Sequence, residues 1–244
     1  MSSIASLVPR RARRWLRRHG GPLGSVVAFD TEQPAFALTY DDGPEPGGTD
    51  AILPVLADFG ATATFFVLMT RVRQHPSLLR DVIDAGHEVG LHGVDHQPIS
   101  RLSYGQVKQR TLDAKAELED AAGAPVRWFR PPYGRQSVTS FLAVRAAGLT
   151  PVVWGPTSWD AREATLEERR TRAVAGAGAG SILLCHDGFA RVADGGRRDD
   201  GPSVDRAEVA RTILPAYRDL GLEARSVGDL AATGTTVRGI WFGR

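Results

Sequence analysis

The chain of 244 residues has one cysteine, Cys185, so no internal disulfide can hold it together, as befits a reducing compartment. It has no apolar run that approaches the length of a membrane span. It has no repeat at solenoid periods. The GAGAG at 176–180 lacks both the Gly-Lys-Ser/Thr of a phosphate loop and a preceding strand, and reads as a small-residue connection. Net charge is also scarce, at +2, and it is unevenly spread. Residues 1–29 hold six arginines and no acid, which leaves −4 for the rest once those six are taken from the total. The body of the protein is therefore not expected to bind nucleic acid. After Arg13-Arg14 the only apolar stretch is SVVAF, too short for the hydrophobic region of an export signal, so a cytoplasmic location is expected. The arm reads in two ways. It is a disordered basic tail without a role, or a short amphipathic segment whose Trp15 and Leu16 enter an anionic membrane surface beside the arginines. The second reading makes the protein peripheral at the inner membrane face.

Against these absences stands a composition of 42% hydrophobic and 24% charged residues, enough apolar surface for a sizeable core. Apolar, β-branched or aromatic runs predict strands at 35–40, 61–68, 87–92, 126–130, 151–154, 181–186 and 222–227. Helical stretches separate them. One runs from Thr49 to Gly60 with Pro54 expected to disturb its middle, one from Pro76 to Gly86, and one from a Ser103/Gln106 capping box to Gly123. Others are expected near 136–147, 165–175 and 203–220, and the Gly/Asp/Arg-rich stretch 194–202 reads as a mobile loop. Strands alternating with helices imply a parallel sheet, either closed as a (β/α) barrel or open and doubly wound. The boundaries predicted are a flexible basic arm at 1–33, one catalytic domain at 34–230 and a tail at 231–244.

The reactive side chains fall at the ends of these strands. Asp41 and Asp42 close the first, in ALTYDDGP, and His92 closes the third, followed by His96 in HGVDH. Arg130 ends the fourth, Asp160 follows the fifth and His186 ends the sixth. In a parallel barrel all these ends open on one face. Adjacent carboxylates repel, so one must be paired, neutralised or bound to a cation. The two imidazoles of HGVDH meet if the segment makes one helical turn, and with one carboxylate they form a ligand set that leaves positions open. One aspartate then neutralises the cation while its neighbour takes a proton from water. Arg130 precedes a rigid Pro-Pro-Tyr-Gly turn, placing it to orient a catalytic aspartate while the turn aims N–H groups at an oxyanion. His186 is placed as a general acid, whereas Cys185 faces the other side of its strand and reads as an inert packed residue.

These motifs resemble, over residues 34–230, those of the polysaccharide deacetylases, carbohydrate esterase family 4. The resemblance implies a distorted (β/α) barrel of seven strands in a single domain. It implies a hydrolase of C–N bonds that removes acetyl groups from an N-acetylated amino sugar with one divalent metal ion: zinc, with cobalt, manganese or nickel as alternatives. TYDDGP is similar to the first motif, implying Asp41 as base and Asp42 as ligand. HGVDH is similar to the second, with Gly93 where many members carry Ser or Thr, and implies His92 and His96 as the other ligands. RPPYG resembles the third, implying Arg130 as partner of the base and the Tyr133 N–H as oxyanion donor. LLCH resembles the fifth, implying His186 as acid and Leu184 or Leu183 as a wall of the acetyl pocket. The chain departs at the fourth, where Asp160 aligns with the aspartate that tunes the acid but Ala161 replaces the usual Trp; Trp154 or Trp159 is left to supply that wall. Two alternatives remain on the same scaffold, an amidohydrolase of a non-sugar amide and a carbohydrate-binding relative without catalysis.

Overall fold

The computed structural model describes residues 24–242. Its strands are β1 (Ser25–Asp30), β2 (Ala35–Asp41), β3 (Thr64–Leu68), β4 (Glu88–Gly93), β5 (Trp128–Phe129), β6 (Thr150–Pro151), β7 (Ile182–His186), β8 (Glu223–Arg225) and β9 (Thr235–Gly239). Its helices are α1 (Thr49–Asp58), α2 (Met69–Gln74), α3 (Pro76–Asp84), α4 (Tyr104–Ala122), α5 (Val138–Ala146), α6 (Leu166–Val174), α7 (Arg206–Asp219) and α8 (Val227–Thr233). A curled parallel sheet runs in the order β6-β5-β4-β3-β2-β7, and β8 pairs with the first half of β2. Strands such as TFFVL are buried along their whole length because helices cover the sheet from outside. The side of the sheet between β6 and β7 is bridged by irregular chain: Gly155 N–H donates to the Ile182 carbonyl, Leu184 N–H to the Pro156 carbonyl and Ser158 N–H to the Leu184 carbonyl. This is the single-domain distorted barrel that the motifs imply.

Local signals explain most elements. The Ser103 side chain accepts from the Gln106 N–H while Gln106 reaches back, so α4 starts at the predicted capping box and ends at Gly123 in left-handed conformation. Thr165 and Glu168 form the same reciprocal box at the start of α6, and Asp205 caps α7 by accepting the Glu208 N–H. Helix α1 continues through Pro54, whose missing N–H removes only the bond to the Asp50 carbonyl.

The predicted boundaries need correction. Residues 25–30 do not belong to a flexible arm, nor 235–239 to a tail: β1 and β9 form an antiparallel ribbon, with Val26 and Phe29 buried. Val26 also bridges to Val152, so the ribbon is fixed to the end of β6. Burial of these apolar side chains offsets the entropy of ordering both segments. The six arginines of the arm, with Trp15 and Leu16, lie outside the described residues. Among the described residues no helix is long and apolar enough to cross a membrane.

Candidate active site

Strand register builds the site. Asp41 and His186 are direct partners on the paired strands β2 and β7, both at the carboxyl end of the sheet. On β4 the pairing with β3 slips between Val67 and Leu68, so His92 is an extra, bulged residue and turns out of the regular alternation. The chain then reverses at Gly93, where φ is +127° and a Cβ would lie 2.8 Å from the Asp95 carbonyl oxygen. HGVDH is therefore a bulge and a bend rather than a helical turn. It still brings the two imidazoles together, with ring centroids 5.1 Å apart.

Asp42, His92 and His96 offer ligand atoms that all lie within 4.8 Å of one another. Asp42 Oδ1 is 3.4 Å from His92 Nε2 and 3.3 Å from His96 Nε2. It is buried and lacks any hydrogen-bond partner, an orphan acceptor of the kind a cation satisfies. His92 donates Nδ1–H to the Arg130 carbonyl at 2.8 Å, which fixes the tautomer and leaves the Nε2 lone pair facing Asp42. Burial lowers the His96 pKa to about 4, keeping that imidazole neutral. Two imidazoles and one carboxylate fit a divalent cation such as zinc.

Two charge pairs flank this cluster. Arg130, with no solvent exposure, donates from Nη1 to Asp41 Oδ1 at 2.7 Å and to Thr39 Oγ1 at 2.8 Å. Phe66 covers the guanidinium at 4.1 Å, so the ion pair sits in a dry setting. On the other side, Asp160 accepts from His186 Nδ1 and from the His186 backbone N–H, each at 2.7 Å. Burial opposes the charged imidazole, yet Asp160 outweighs it and the His186 pKa rises to about 9. Cys185, between these groups in sequence, packs into the core as expected, and burial pushes its thiol well up.

Of the eleven residues singled out, nine line one cavity of about 520 Å³, and Arg130 and Asp160 stand behind it as partners of Asp41 and His186. Leu184, not Leu183, faces the cavity; Leu183 is in the core. Both Trp154 and Trp159 contribute walls, and Ala161 lies between the latter and Arg162 on the rim. Tyr133, left-handed at φ 59°, sets its ring 4.2 Å from that of His96. The turn that carries it is held from the far end of the chain: Trp241 Nε1 donates to the Gly134 carbonyl at 3.0 Å, and its ring lies 5.9 Å from Trp154.

Sequence reasoning missed three supports. Asp187 accepts from Gly43 N–H and from Thr49 Oγ1, and a Cβ at Gly43 would fall 1.9 Å from its Oδ2, so glycine is required next to Asp42. Stretch 194–202, read as mobile, is anchored at its start: Arg71 of α2 donates to both oxygens of buried Asp194 at 2.9 and 2.7 Å. The Asp194 carbonyl then accepts from His96 N–H at 2.6 Å, which ties a proposed ligand to this anchor. From the same stretch Arg197 and Arg198 reach the cavity. An acid in a Gly-rich segment and an arginine 123 residues away carry no pairing signal in one sequence.

Residues 29–152 match the polysaccharide deacetylase family. A chitooligosaccharide deacetylase of Sinorhizobium fredii is 32% identical over 207 residues, spanning 84% of this chain and 95% of that protein. A peptidoglycan-N-acetylglucosamine deacetylase of Bacillus cereus is 33% identical over 178 residues, 71% of this chain and 82% of the relative. Among solved structures, a family 4 acetyl xylan esterase of Clostridium thermocellum in complex with a cobalt ion superposes with a TM-score of 0.70 at 28% identity. It covers 81% of this chain, and 90% of its own chain is matched. The buried aspartate–histidine cluster at the carboxyl end of a curled parallel sheet thus has relatives along most of its length, and the chain belongs to the polysaccharide deacetylase family.

Proposed function

We propose that the protein is a metal-dependent deacetylase of N-acetylated amino sugars, and that a single observation carries the metal dependence. The orphan Oδ1 of Asp42, between two imidazoles, adjoins a carboxylate–arginine pair and an imidazole–carboxylate pair in one cavity. A divalent cation held by Asp42, His92 and His96 would supply Lewis-acid activation of water and of the acetyl carbonyl. Zinc suits the donors best, and cobalt, manganese or nickel are accommodated by the same set. The cobalt bound by the Clostridium thermocellum relative supports a divalent ion.

The chain's own residues then divide the work. Arg130 occupies Oδ1 of Asp41, so Oδ2 is the oxygen left to take the proton of the attacking water. The backbone N–H of Tyr133 donates to the carbonyl oxygen as it becomes negative. His186, with Nδ1 held by Asp160, turns Nε2 to the leaving amine and protonates it. Leu184, Trp154 and Trp159 enclose the acetyl group and sugar face. Both proton-handling groups are in place, which supports an active enzyme over a binding relative.

The test is acetate release from N-acetylated chitooligosaccharides. Activity is expected with zinc or cobalt, lost with a chelator and restored by re-adding the ion; metal-loaded protein that releases no acetate from any N-acetylated sugar sinks the proposal. The acid assignment predicts a pH effect of definite sign. His186 is raised above its unfolded value, so the acid form persists to about pH 9 and activity falls as pH rises through that point. Asp160→Asn removes the carboxylate that raises it, and the alkaline limb of kcat against pH moves to lower pH. An unmoved limb would exclude His186 as the acid that the profile reports.

A further inference from the structure

We propose that the rim of the cavity is a subsite for an oxyanion, a carboxylate or phosphate carried by the acetylated sugar close to its acetyl group. The proposal rests on the deacetylase reading and narrows its substrate class from neutral to acidic amino sugars.

Three arginines line the cavity, Arg162, Arg197 and Arg198. Each lies over an aromatic ring: Arg162 over Trp159 at 4.6 Å, Arg197 over Tyr133 at 4.6 Å and Arg198 over Phe189 at 5.6 Å. Among the described residues none of the three forms an ion pair with a carboxylate, whereas the structural arginines nearby are all engaged. Arg71 holds Asp194, Arg130 holds Asp41, and Arg206 donates to the carbonyls of His186 and Gly188. Among the described residues the cavity is lined by two acids, Asp41 and Asp42, both committed within it. The rim therefore carries three cationic groups on a body whose formal charge is otherwise negative.

Stacking decides what such groups can do. A guanidinium laid on a ring keeps its plane fixed while its in-plane N–H donors stay free, which suits two-point binding of a carboxylate or phosphate. Less side-chain entropy is lost on binding than for a free arginine. Arg197 is one aromatic ring away from a proposed ligand, since Tyr133 packs on Arg197 on one side and has His96 against it at 4.2 Å. An anion held there belongs to the acetylated sugar or its immediate neighbour. Shielding of aromatic rings from water would also use stacked arginines, but it predicts no preference among substrates.

The experiment compares kcat/KM for acetate release from three compounds: diacetylchitobiose (neutral), a disaccharide of N-acetylglucosamine and glucuronate, and N-acetylglucosamine phosphate. At low salt at least one anionic compound is expected to exceed the neutral one by about tenfold, the effect of one charge-assisted hydrogen bond, and the margin shrinks as salt rises. Which anionic arm gains separates a carboxylate from a phosphate source. Arg197→Gln and Arg162→Gln should each reduce the anionic-to-neutral ratio several-fold. Arg211→Gln removes the same charge from α7, outside the cavity lining, and should leave the ratio unchanged. Equal rates for all three compounds, with a ratio indifferent to the rim variants, overturn the inference while leaving the deacetylase reading intact. If no compound releases acetate, that reading fails, and calorimetric affinities of the same compounds decide the subsite. Tighter binding of an anionic compound, lost in Arg197→Gln, upholds it, and equal binding overturns it.

Discussion

Asp41→Asn should lower kcat by about 10²–10⁴, the span of a general base's contribution, and leave the metal content of the protein unchanged. The amide keeps the shape of the carboxylate, and its oxygen can still accept from Arg130 Nη1, so the side chain stays where it is. What it loses is the ability to take a proton. It also removes the counter-charge of a guanidinium that has no solvent exposure and whose Nε and Nη2 have no hydrogen-bond partner. Leaving such a charge uncompensated commonly costs about 3–5 kcal/mol, so part of the loss could come from unfolding. Thermal melts and metal analysis on the same preparation separate the two effects: a folded, metal-loaded variant with the full drop in kcat identifies the base. A folded, loaded variant that turns over at the wild-type rate removes Asp41 from the chemistry.

His96→Ala should abolish metal binding at concentrations that saturate the wild type, and activity with it. Losing an outer-shell partner costs roughly 10–100-fold in metal affinity, and a direct ligand should cost more. The variant is informative because His96 is held by backbone rather than by its side chain. Its N–H donates to the Asp194 carbonyl, and Nδ1 is buried without a partner, so truncation breaks no side-chain hydrogen bond among the described residues. The fold should therefore survive. Metal retained at wild-type affinity would refute the ligand set. Loss of metal from a natively melting protein would isolate ligation as the role of His96.

Much of this site is legible in the sequence because its residues sit at strand ends, and a parallel sheet turns all such ends the same way. Asp41, His92, Arg130 and His186 each close an apolar run, so recognising the runs is enough to gather them. Asp160 is placed near them by following the fifth run and by its motif, but its contact with His186 Nδ1 is a product of the irregular chain beside β7. The elements that escape share a physical cause. Strand β9, TTVRG, has a single apolar side chain, and β1, SVVAFD, has a short apolar run whose partner lies some 200 residues away, so the pairing leaves no local signal in either segment. The bend at HGVDH depends on a bulge defined by the neighbouring strand, which the periodicity of one segment does not contain. The rim arginines come from loops, where no period applies.

The ribbon of β1 and β9 gives the chain's far end a hold on the chemistry. Continuing beyond β9, the chain delivers Trp241 to the Gly134 carbonyl, one residue from the N–H assigned to the oxyanion, and to the ring of Trp154 in the substrate wall. Gln136 Nε2 completes the clasp, donating to Ser25 Oγ at the start of β1 and to the Trp241 carbonyl. The two ends of the described chain thus meet over the Pro-Pro-Tyr-Gly turn and act as its buckle. Fraying of a terminal strand, usually a harmless local event, would here slacken the turn first and be felt in transition-state binding before it was felt in the melting of the barrel.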